Sequence, residues 1–374
     1  MCERIGNPLC VLCHKVARLH PYLKKTLSKG NFMYNEIMCD FGNIYKAYKL
    51  AHRGKINAAE VIEFDKNKIY NLQRLKKKLL AKDWNGIFKY YNFTIREPKE
   101  RSVDALTFEG RIVQHILCDQ ILRPWFEKRL VKENCACRQN KGTHYAMNLL
   151  KQAMIKYRDR GNCYILKMDV KKYFPSIDRE ILKRLLKDFP DEEIKELLFY
   201  IIDTSPNTNG IPIGNQSSQW FALYYLDAVD RIIKEQSSAA AYARYMDDLV
   251  IICPDKQTAT DLLSRLRGFV LSERKMIFNS KTQIYPLSRG VTFLGWRYLP
   301  FRQRIIMRIE SGKRFFRVRK IEEILSNYKT GRSKFGDFLN SIISVRANLN
   351  FGNTYAFQQK FGVLNARGSS LSAA

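Results

Sequence analysis

The hydrophobic pattern of the chain changes its period several times. Residues 33–90 carry apolar residues at three- and four-residue spacing with Lys and Arg between them, which predicts amphipathic helices. Residues 91–108 alternate in the manner of strands and are interrupted by Pro98, which predicts a β-hairpin. Helical spacing returns in residues 109–130 and 144–161.

The middle of the chain contains short apolar runs that predict strands. "CYILKMDVKKYF" (residues 163–174) predicts a strand that leads into a turn, and apolar runs flank Asp247 and Asp248 as the two arms of a hairpin. Residues 179–202 and the basic last 70 residues predict helices. Together these elements predict an α+β fold, in which an antiparallel sheet is backed by helices.

The net charge identifies the kind of partner. The 374 residues include 65 Lys and Arg against 36 Asp and Glu, a formal charge of +29. Such an excess favours a polyanionic partner, either nucleic acid or an acidic membrane surface. No run approaches the roughly 18 apolar residues of a membrane span, and residues 1–34 do not form a signal peptide pattern. The sequence therefore favours nucleic acid and predicts no membrane partner.

The cysteines predict a reducing compartment and raise one question. Nine scattered cysteines without an export signal indicate reduced thiols and a cytoplasmic location. Cys2, Cys10 and Cys13, with either His14 or His20, lie close enough in sequence for a small zinc site, although the usual second C-x-x-C pair is absent. Two interpretations stay open for residues 1–32: a zinc site, or a basic extension without metal.

Two adjacent acids stand at the tip of the predicted central hairpin. Asp247 and Asp248 follow Tyr245 and Met246 in the sequence "YMDD". Like charges this close repel, so keeping both ionised calls for a nearby divalent cation. Mg²⁺ suits such a site because it prefers oxygen ligands. Taken alone, the acid pair is also compatible with an ordinary turn.

A third carboxylate favours the metal interpretation over the ordinary turn. Asp169 ends another apolar strand, which we expect in the same sheet as the hairpin. Three Asp side chains can hold two ions roughly 3.5–4 Å apart, an arrangement that activates a 3′-hydroxyl and stabilises departing pyrophosphate. The sequence therefore predicts a two-metal nucleotidyl transfer site.

Seven motifs in order resemble those of reverse transcriptases, over about residues 35–300. They are "REPKERSV", "FEGRIVQHIL", "LKMDVKKYFPSID", "GIPIGNQSSQ", "YMDD", "NSKTQI" and "FLGWRY". The resemblance implies a right-hand polymerase fold with a fingers domain, a palm and a helical thumb. It places the fingers in residues 33–160, the palm in 161–300 and the basic thumb in 301–374, after an N-terminal Cys/His extension of residues 1–32.

The resemblance also implies roles for residues of the palm. Asp169, Asp247 and Asp248 would bind two Mg²⁺ ions, for which Mn²⁺ can substitute, and the Val170 carbonyl would be a backbone ligand. Lys281 would lie near the pyrophosphate and protonate it. An alternative for Lys281 is a cation at the end of a helix.

A second set of residues is implied to bind the incoming nucleotide. Lys99 and Arg101 would contact the triphosphate, and Phe174 would crowd the sugar 2′-position and so select dNTPs. The loop with Ile213, Gly214 and Gln219 would lie over the nascent base pair. The alternatives are a solvated basic hairpin tip for the first two residues and ordinary core packing for Phe174.

The loop "GIPIGNQSSQ" distinguishes subgroups of the family. Ile213 stands where most reverse transcriptases have Gln, and "IGNxxSQ" resembles the enzymes of diversity-generating retroelements, which are close to group II intron-like reverse transcriptases. "ENCACRQNKGTH" (residues 133–144) points the same way. This resemblance implies copying of a structured template RNA into cDNA with errors at template adenines. It further implies a primer, dNTPs and a small helical accessory protein as partners.

Two other functions remain open at the level of the sequence. A phage-defence reverse transcriptase that copies a non-coding RNA would have the same palm chemistry. A catalytically inert nucleic-acid-binding protein would keep the polymerase shape, but the intact set of Asp169, Asp247 and Asp248 argues against it.

Overall fold

The computed structural model describes residues 34–96, 100–206 and 209–363. The chain forms two compact units. The first takes its described residues from 34–95, 101–129 and 177–221, and the second from the remainder. The predicted zinc ligands Cys2, Cys10, Cys13 and His14 lie outside the described residues, and so does Lys99.

The described helices begin with a π-helical turn at Tyr34–Met38 and include one further π-helical segment, Leu117–Leu122. The α-helices are α1 (Phe41–His52), α2 (Ala59–Lys66), α3 (Lys68–Leu80), α4 (Phe108–Ile116), α5 (Arg123–Glu127), α6 (Thr143–Tyr157), α7 (Tyr173–Ser176), α8 (Arg179–Leu185), α9 (Glu192–Asp203), α10 (Gln216–Tyr225), α11 (Asp227–Glu235), α12 (Lys256–Arg274), α13 (Ser311–Lys329), α14 (Phe335–Leu349) and α15 (Tyr355–Lys360).

The described strands form three antiparallel sheets, with the orders β1-β2, β4-β5-β3-β6 and β7-β8-β9. The strands are β1 (Tyr90–Ile95), β2 (Arg101–Leu106), β3 (Tyr164–Asp169), β4 (Ala241–Tyr245), β5 (Asp248–Cys253), β6 (Gln283–Pro286), β7 (Val291–Phe293), β8 (Trp296–Phe301) and β9 (Arg304–Ile309). A short 3₁₀ turn, Leu287–Arg289, links β6 to β7.

A buried aromatic group anchors the helices of the first unit. Trp84 donates its indole N–H to the Tyr34 hydroxyl over 2.7 Å, and this hydroxyl donates to the Leu79 carbonyl over 3.0 Å. The Trp84 ring also packs on Tyr200 of α9. Because unpaired polar groups are costly to bury, this chain of hydrogen bonds lets two large rings fill the core.

The core of the second unit lies between α6 and the central sheet. On α6, Met147, Leu150 and Met154 are buried at helical spacing. They pack in one cluster with Ile165 of β3 and Val250 of β5. This burial explains why β3 and β5 are mainly apolar, apart from Lys167 and the aspartate at one end of each strand.

The C-terminal part of the second unit differs from the sequence prediction. Arg304–Ile309 is a strand paired with β8, whereas the pattern had predicted helix there. The turn between β8 and β9 contains Arg302 at φ 48°, a backbone region that normally calls for Gly or Asn. Without Gly or Asn, the sequence lacks the usual hairpin signal. Beyond β9, α13 and α14 share a small core that includes Ile321, Phe338 and Ile342.

The prediction of an α+β fold with antiparallel sheets and helices is confirmed. Within the described ranges, no helix has the length and apolar character needed to cross a membrane.

Candidate active site

The acid pair lies at the tip of the β4–β5 hairpin. Tyr245 pairs with Asp248, so Met246 and Asp247 form a two-residue turn. Met246 has φ 58°, as the first central residue of a type II′ turn requires, and this position is usually glycine. A side chain in that region costs of order 1–3 kcal/mol and persists only where the surroundings enforce it. The turn is therefore held by contacts outside itself.

Arg244 supplies that support. Its side chain is completely buried, and its guanidinium donates to the Met246 carbonyl over 2.9 Å and to the Leu223 carbonyl over 2.9 Å. It also binds the buried Asp230 carboxylate of α11 through two hydrogen bonds of 2.7 and 2.5 Å. Burial alone would lower the pKa of Arg244, but Asp230 raises it and the net shift is upward. Arg244 thus remains charged beneath the acid turn.

Asp169 lies opposite Asp248 at the ends of two neighbouring strands. The two are register partners in the β3–β5 pair, as expected from their position at the ends of apolar runs. Asn279 fixes Asp169 from the other side: its backbone N–H donates to the Asp169 carbonyl over 2.7 Å, and its side-chain amide approaches the carboxylate at 3.4 Å. The structure therefore brings Asp169 and Asp248 together, with Asp247 in the adjoining turn.

The hydrogen bonds around Val170 fix the direction of its backbone groups. Val170 forms an isolated antiparallel bridge with Phe278, on the β6 side of β3. The hydrogen bonds of this bridge come from the neighbours of Val170, namely Lys171 N to Ile277 O and Asn279 N to Asp169 O. In such a pair, the residue's own N–H and C=O point away from the partner segment. The Val170 carbonyl consequently points toward the β5 side, where the acid turn begins.

Lys167 belongs to the site and was missed in the sequence. It lies two residues before Asp169 and therefore on the same face of β3, where its ammonium contacts the Asp248 carboxylate. Burial lowers the pKa of Lys167 to about 8, although Asp169 and Asp247 act in the opposite direction. The sequence did contain a signal for Lys167: a Lys within an apolar strand, two residues before an aspartate.

The carboxylates have the right chemistry for Mg²⁺ but are not gathered around a common point. Across the described ranges, no three His, Cys, Asp or Glu side chains are grouped closely enough to hold a metal ion. Asp169 and Asp248 nonetheless offer facing oxygen donors of the kind Mg²⁺ prefers. Lys167 supplies the neutralising positive charge at Asp248. The donor set fits a divalent cation, provided that Lys167 gives up this contact.

Phe174 lies on the short helix α7, which follows β3. It is partly exposed, and its ring packs edge-on against Tyr173. Tyr173 is buried, and its hydroxyl donates to the Ala222 carbonyl. Tyr173 therefore anchors α7 in the core and leaves Phe174 at the surface, five residues after Asp169.

Lys281 is exposed on the segment between Asn279 and β6. Its backbone N–H donates to the Asn279 side-chain oxygen over 3.1 Å. Since Asn279 also contacts Asp169, Asn279 links Lys281 to the end of β3. Lys281 and Lys167 line a common cleft.

The first unit holds four of the other predicted nucleotide-binding residues: Arg101, Ile213, Gly214 and Gln219. Arg101 is exposed and begins β2. Ile213 is half-buried, and its carbonyl accepts from the Asp104 N–H of β2 over 3.0 Å. Gly214 has φ 132°, and a Cβ there would stand 2.5 Å from the Asp104 carbonyl oxygen. Only glycine fits this close approach. Gln219 is exposed on α10.

Buried polar residues tie the Ile213 loop to its surroundings, and the sequence did not reveal them. The Gln114 side-chain oxygen accepts from the Ser217 N–H over 2.8 Å and so caps the start of α10. Asn215 donates to the Tyr90 hydroxyl over 2.7 Å. The loop therefore has a defined shape, fixed by residues roughly a hundred positions away in the chain.

A match to a protein-family model shows which family the chain belongs to. The model of the family described as "Reverse transcriptase (RNA-dependent DNA polymerase)" matches residues 95–298, which is more than half of the chain. The chain belongs to this reverse transcriptase family. All the residues predicted for the polymerase site lie inside the matched range, whereas α13, α14 and α15 of this reverse transcriptase lie beyond it.

Solved structures similar to this reverse transcriptase include two telomerases. One is telomerase from Candida albicans in complex with the TWJ fragment of telomeric RNA, with a TM-score of 0.46 and 12% identity over 79% of this chain and 64% of that one. The other is apo telomerase from Candida tropicalis truncated from its C-terminal domain, with a TM-score of 0.46 and 13% identity over 65% of this chain and 60% of that one. The chain thus spans less than two thirds of either structure. No curated protein matches the sequence.

Proposed function

We propose that this reverse transcriptase family member is an RNA-directed DNA polymerase whose catalytic residues are Asp169, Asp247 and Asp248. The observation that carries the proposal is the register of β3 and β5, which sets Asp169 opposite Asp248 beside the Asp247 turn. A primer, a structured RNA template and dNTPs would be its substrates. The fingers, palm and thumb boundaries given above are part of the same proposal.

The three Asp side chains and the Val170 carbonyl would hold two Mg²⁺ ions. When bound, these ions would lower the pKa of the primer 3′-hydroxyl and neutralise charge on the departing pyrophosphate. Lys167 would leave Asp248 as the cations bind, since its ammonium contacts one of their ligands. Asn279 would keep Asp169 oriented through its two contacts.

Other side chains would orient the nucleotide and move a proton. Lys281 would donate a proton to the leaving pyrophosphate, because it is a surface cation tied to the acid strand through Asn279. Phe174 would exclude a ribose 2′-hydroxyl from the space beside the acids. Lys99 and Arg101 would bind the triphosphate.

Extension of a DNA primer annealed to an RNA template tests the polymerase proposal. With four dNTPs and Mg²⁺, the wild-type protein is expected to copy the template, and chelation of the metal is expected to stop the reaction. Pre-incubation with chelator followed by excess Mg²⁺ should restore synthesis, which separates metal loss from unfolding. An enzyme that extends equally well in chelator would contradict the two-metal site.

We further propose that the enzyme makes errors at template adenines and serves a diversity-generating retroelement. The support is Ile213 in place of the usual Gln, in a loop with a defined shape. A branched alkyl group cannot supply the hydrogen bonds with which an amide would check the geometry of the base pair. A small helical accessory protein and a structured RNA would be its partners in this role.

Replacing Ile213 with Gln is expected to lower misincorporation opposite adenine roughly 5- to 30-fold, because one recovered hydrogen bond is worth about 1–2 kcal/mol of discrimination. Ile213 is only half-buried, so a polar side chain at this position would not lose all contact with solvent. Deep sequencing of the cDNA measures the error spectrum. Ile213→Leu, which keeps the position apolar, is the matched control and should change nothing. An unchanged spectrum in Ile213→Gln would refute the role of this residue.

A further inference from the structure

A buried amide contacts the segment that follows Ile213. Gln114 belongs to α4, and only 2% of its surface is exposed. Its neighbours Ile112, Val113 and Ile116 have no exposed surface. An apolar side chain would be the ordinary occupant of such a position. Gln114 therefore places a polar group in a stretch of helix that is otherwise core.

Only half of this amide is used. The Gln114 side-chain oxygen accepts from the Ser217 backbone N–H over 2.8 Å and from the Cys118 thiol over 3.5 Å. Among the described residues, neither the Gln114 Nε2 group nor the Ser217 hydroxyl has a hydrogen-bond partner. Both residues are almost fully buried, and burying unpaired polar groups is costly. Stability alone therefore does not explain a glutamine at this position, and its shorter contact is with the Ile213 loop.

Two neighbouring residues of the loop are also held from outside it. The Asn215 amide donates to the Tyr90 hydroxyl of β1 over 2.7 Å, and the Gln216 amide donates to the Asp119 carboxylate over 3.0 Å. With Ser217, three consecutive residues are thus each bound by a different side chain of the first unit. A segment that is bound at consecutive residues cannot shift without breaking hydrogen bonds.

This fixation determines how Ile213 can act on a base pair. The Ile213 carbonyl is itself held by the Asp104 N–H of β2. The Ile213 side chain has no hydrogen-bonding group, so it can test a base pair only by its shape. Discrimination by shape requires a surface that stays in place, because a loop that yields would accept a mispair of the wrong width.

We infer that Gln114 is a positioning residue for base selection, which holds the Ile213 loop against the nascent base pair through Ser217. The inference rests on the proposed polymerase function and on the proposed position of the loop. In this account, the fixed apolar surface excludes most mispairs by shape, and errors at template adenines are those that shape alone does not exclude. Loss of the Gln114 contact would release the loop and extend the errors to the other template bases.

Gln114→Met tests this role, because Met has a similar length but only a weakly accepting thioether for the Ser217 N–H. Misincorporation opposite template C, G and U is expected to rise about three- to tenfold, the effect of one net hydrogen bond. Sequencing of cDNA copied from a single RNA template gives the error frequency at each template base.

A second variant keeps the test open if Gln114→Met misfolds. Tyr90→Phe keeps the ring and removes the hydroxyl that binds Asn215. It loosens the loop at a neighbouring residue, so the same broadening of the error spectrum is expected.

Gln358→Met is the matched control. Gln358 lies in α15 of the second unit, 4% of its surface is exposed, and its Oε1 atom also lacks a partner among the described residues. Its amide donates to Asn350 over 3.1 Å and to Thr354 over 3.0 Å, both in the same unit. The control thus removes a comparable buried amide. It is expected to lower the melting temperature in the manner of Gln114→Met, but to leave the error spectrum unchanged.

The possible outcomes separate this inference from the proposed function. If the wild type extends the primer, and the folded variants Gln114→Met and Tyr90→Phe have the error spectrum of Gln358→Met, the positioning role of Gln114 is overturned alone. A wild type that does not extend the primer would refute the polymerase function and, with it, the role of Gln114.

Discussion

Replacing Arg244 with Met is expected to lower the free energy of unfolding by about 3–5 kcal/mol, the usual cost of removing one partner from a buried ion pair. Arg244 and Asp230 both have no exposed surface. The substitution would leave the Asp230 carboxylate buried without its cation, and the Met246 and Leu223 carbonyls without their donor. Urea denaturation followed by circular dichroism measures the change.

The paired variant separates the ion pair from simple packing. Arg244→Met combined with Asp230→Leu removes both charges and should be less destabilised than the sum of the single variants. Arg231→Met is the control. Arg231 is partly exposed and pairs with Asp227, and both lie on α11 with Asp230. Such a pair contributes about 1 kcal/mol or less to the free energy of unfolding. A loss in Arg244→Met no larger than that in Arg231→Met would show that the buried pair does not support the hairpin.

Replacing Asp169 with Asn is expected to slow nucleotide incorporation about a thousandfold, because one anionic metal ligand contributes several kcal/mol to transition-state stabilisation. Asn keeps the size of the side chain and can still contact Asn279. Rapid-quench measurement of single-nucleotide incorporation gives the rate. Mn²⁺ binding, followed by electron paramagnetic resonance, should weaken in parallel.

Asp261→Asn is the control for this experiment. Asp261 is exposed on α12 and contacts only the side chain of Gln257 among the hydrogen bonds observed. Its variant should incorporate nucleotides and bind Mn²⁺ like the wild type. If Asp169→Asn behaved in the same way as Asp261→Asn, the metal-binding role of Asp169 would be wrong.

The strands and their acidic ends could be predicted because the signals are local. Asp169 ends one apolar run and Asp248 begins another, so the register that joins them follows from the pattern of each strand. Alternation also predicted the β1–β2 hairpin on either side of Pro98. In each case, a few neighbouring residues carry the information.

The residues that support the site could not be predicted because their partners are far apart in sequence. Arg244 reaches Asp230 and Leu223, and Lys167 reaches Asp248, 81 positions away. Gln114 caps a helix that begins 102 positions later, at Gln216. A charged residue within an apolar strand, as at Arg244 and Lys167, signals a partner of opposite charge without identifying it.

The missed strand β9 has a different cause. "RIIMRI" contains consecutive apolar residues, and its hairpin turn holds Arg302 in a conformation that usually requires glycine. Pairing with β8 overrides this unfavourable local signal.

Primer extension on an RNA template by the wild type and by the Asp247→Ala/Asp248→Ala double variant tests the central claim most directly. Both proteins should first be shown to have the same circular dichroism spectrum and the same affinity for duplex. The acid turn at the tip of β4–β5 is proposed to hold the catalytic metals, so we expect full-length cDNA from the wild type and none from the double variant. Equal extension by the two proteins would contradict the assignment of this site, and a wild type that does not extend the primer would contradict the polymerase activity.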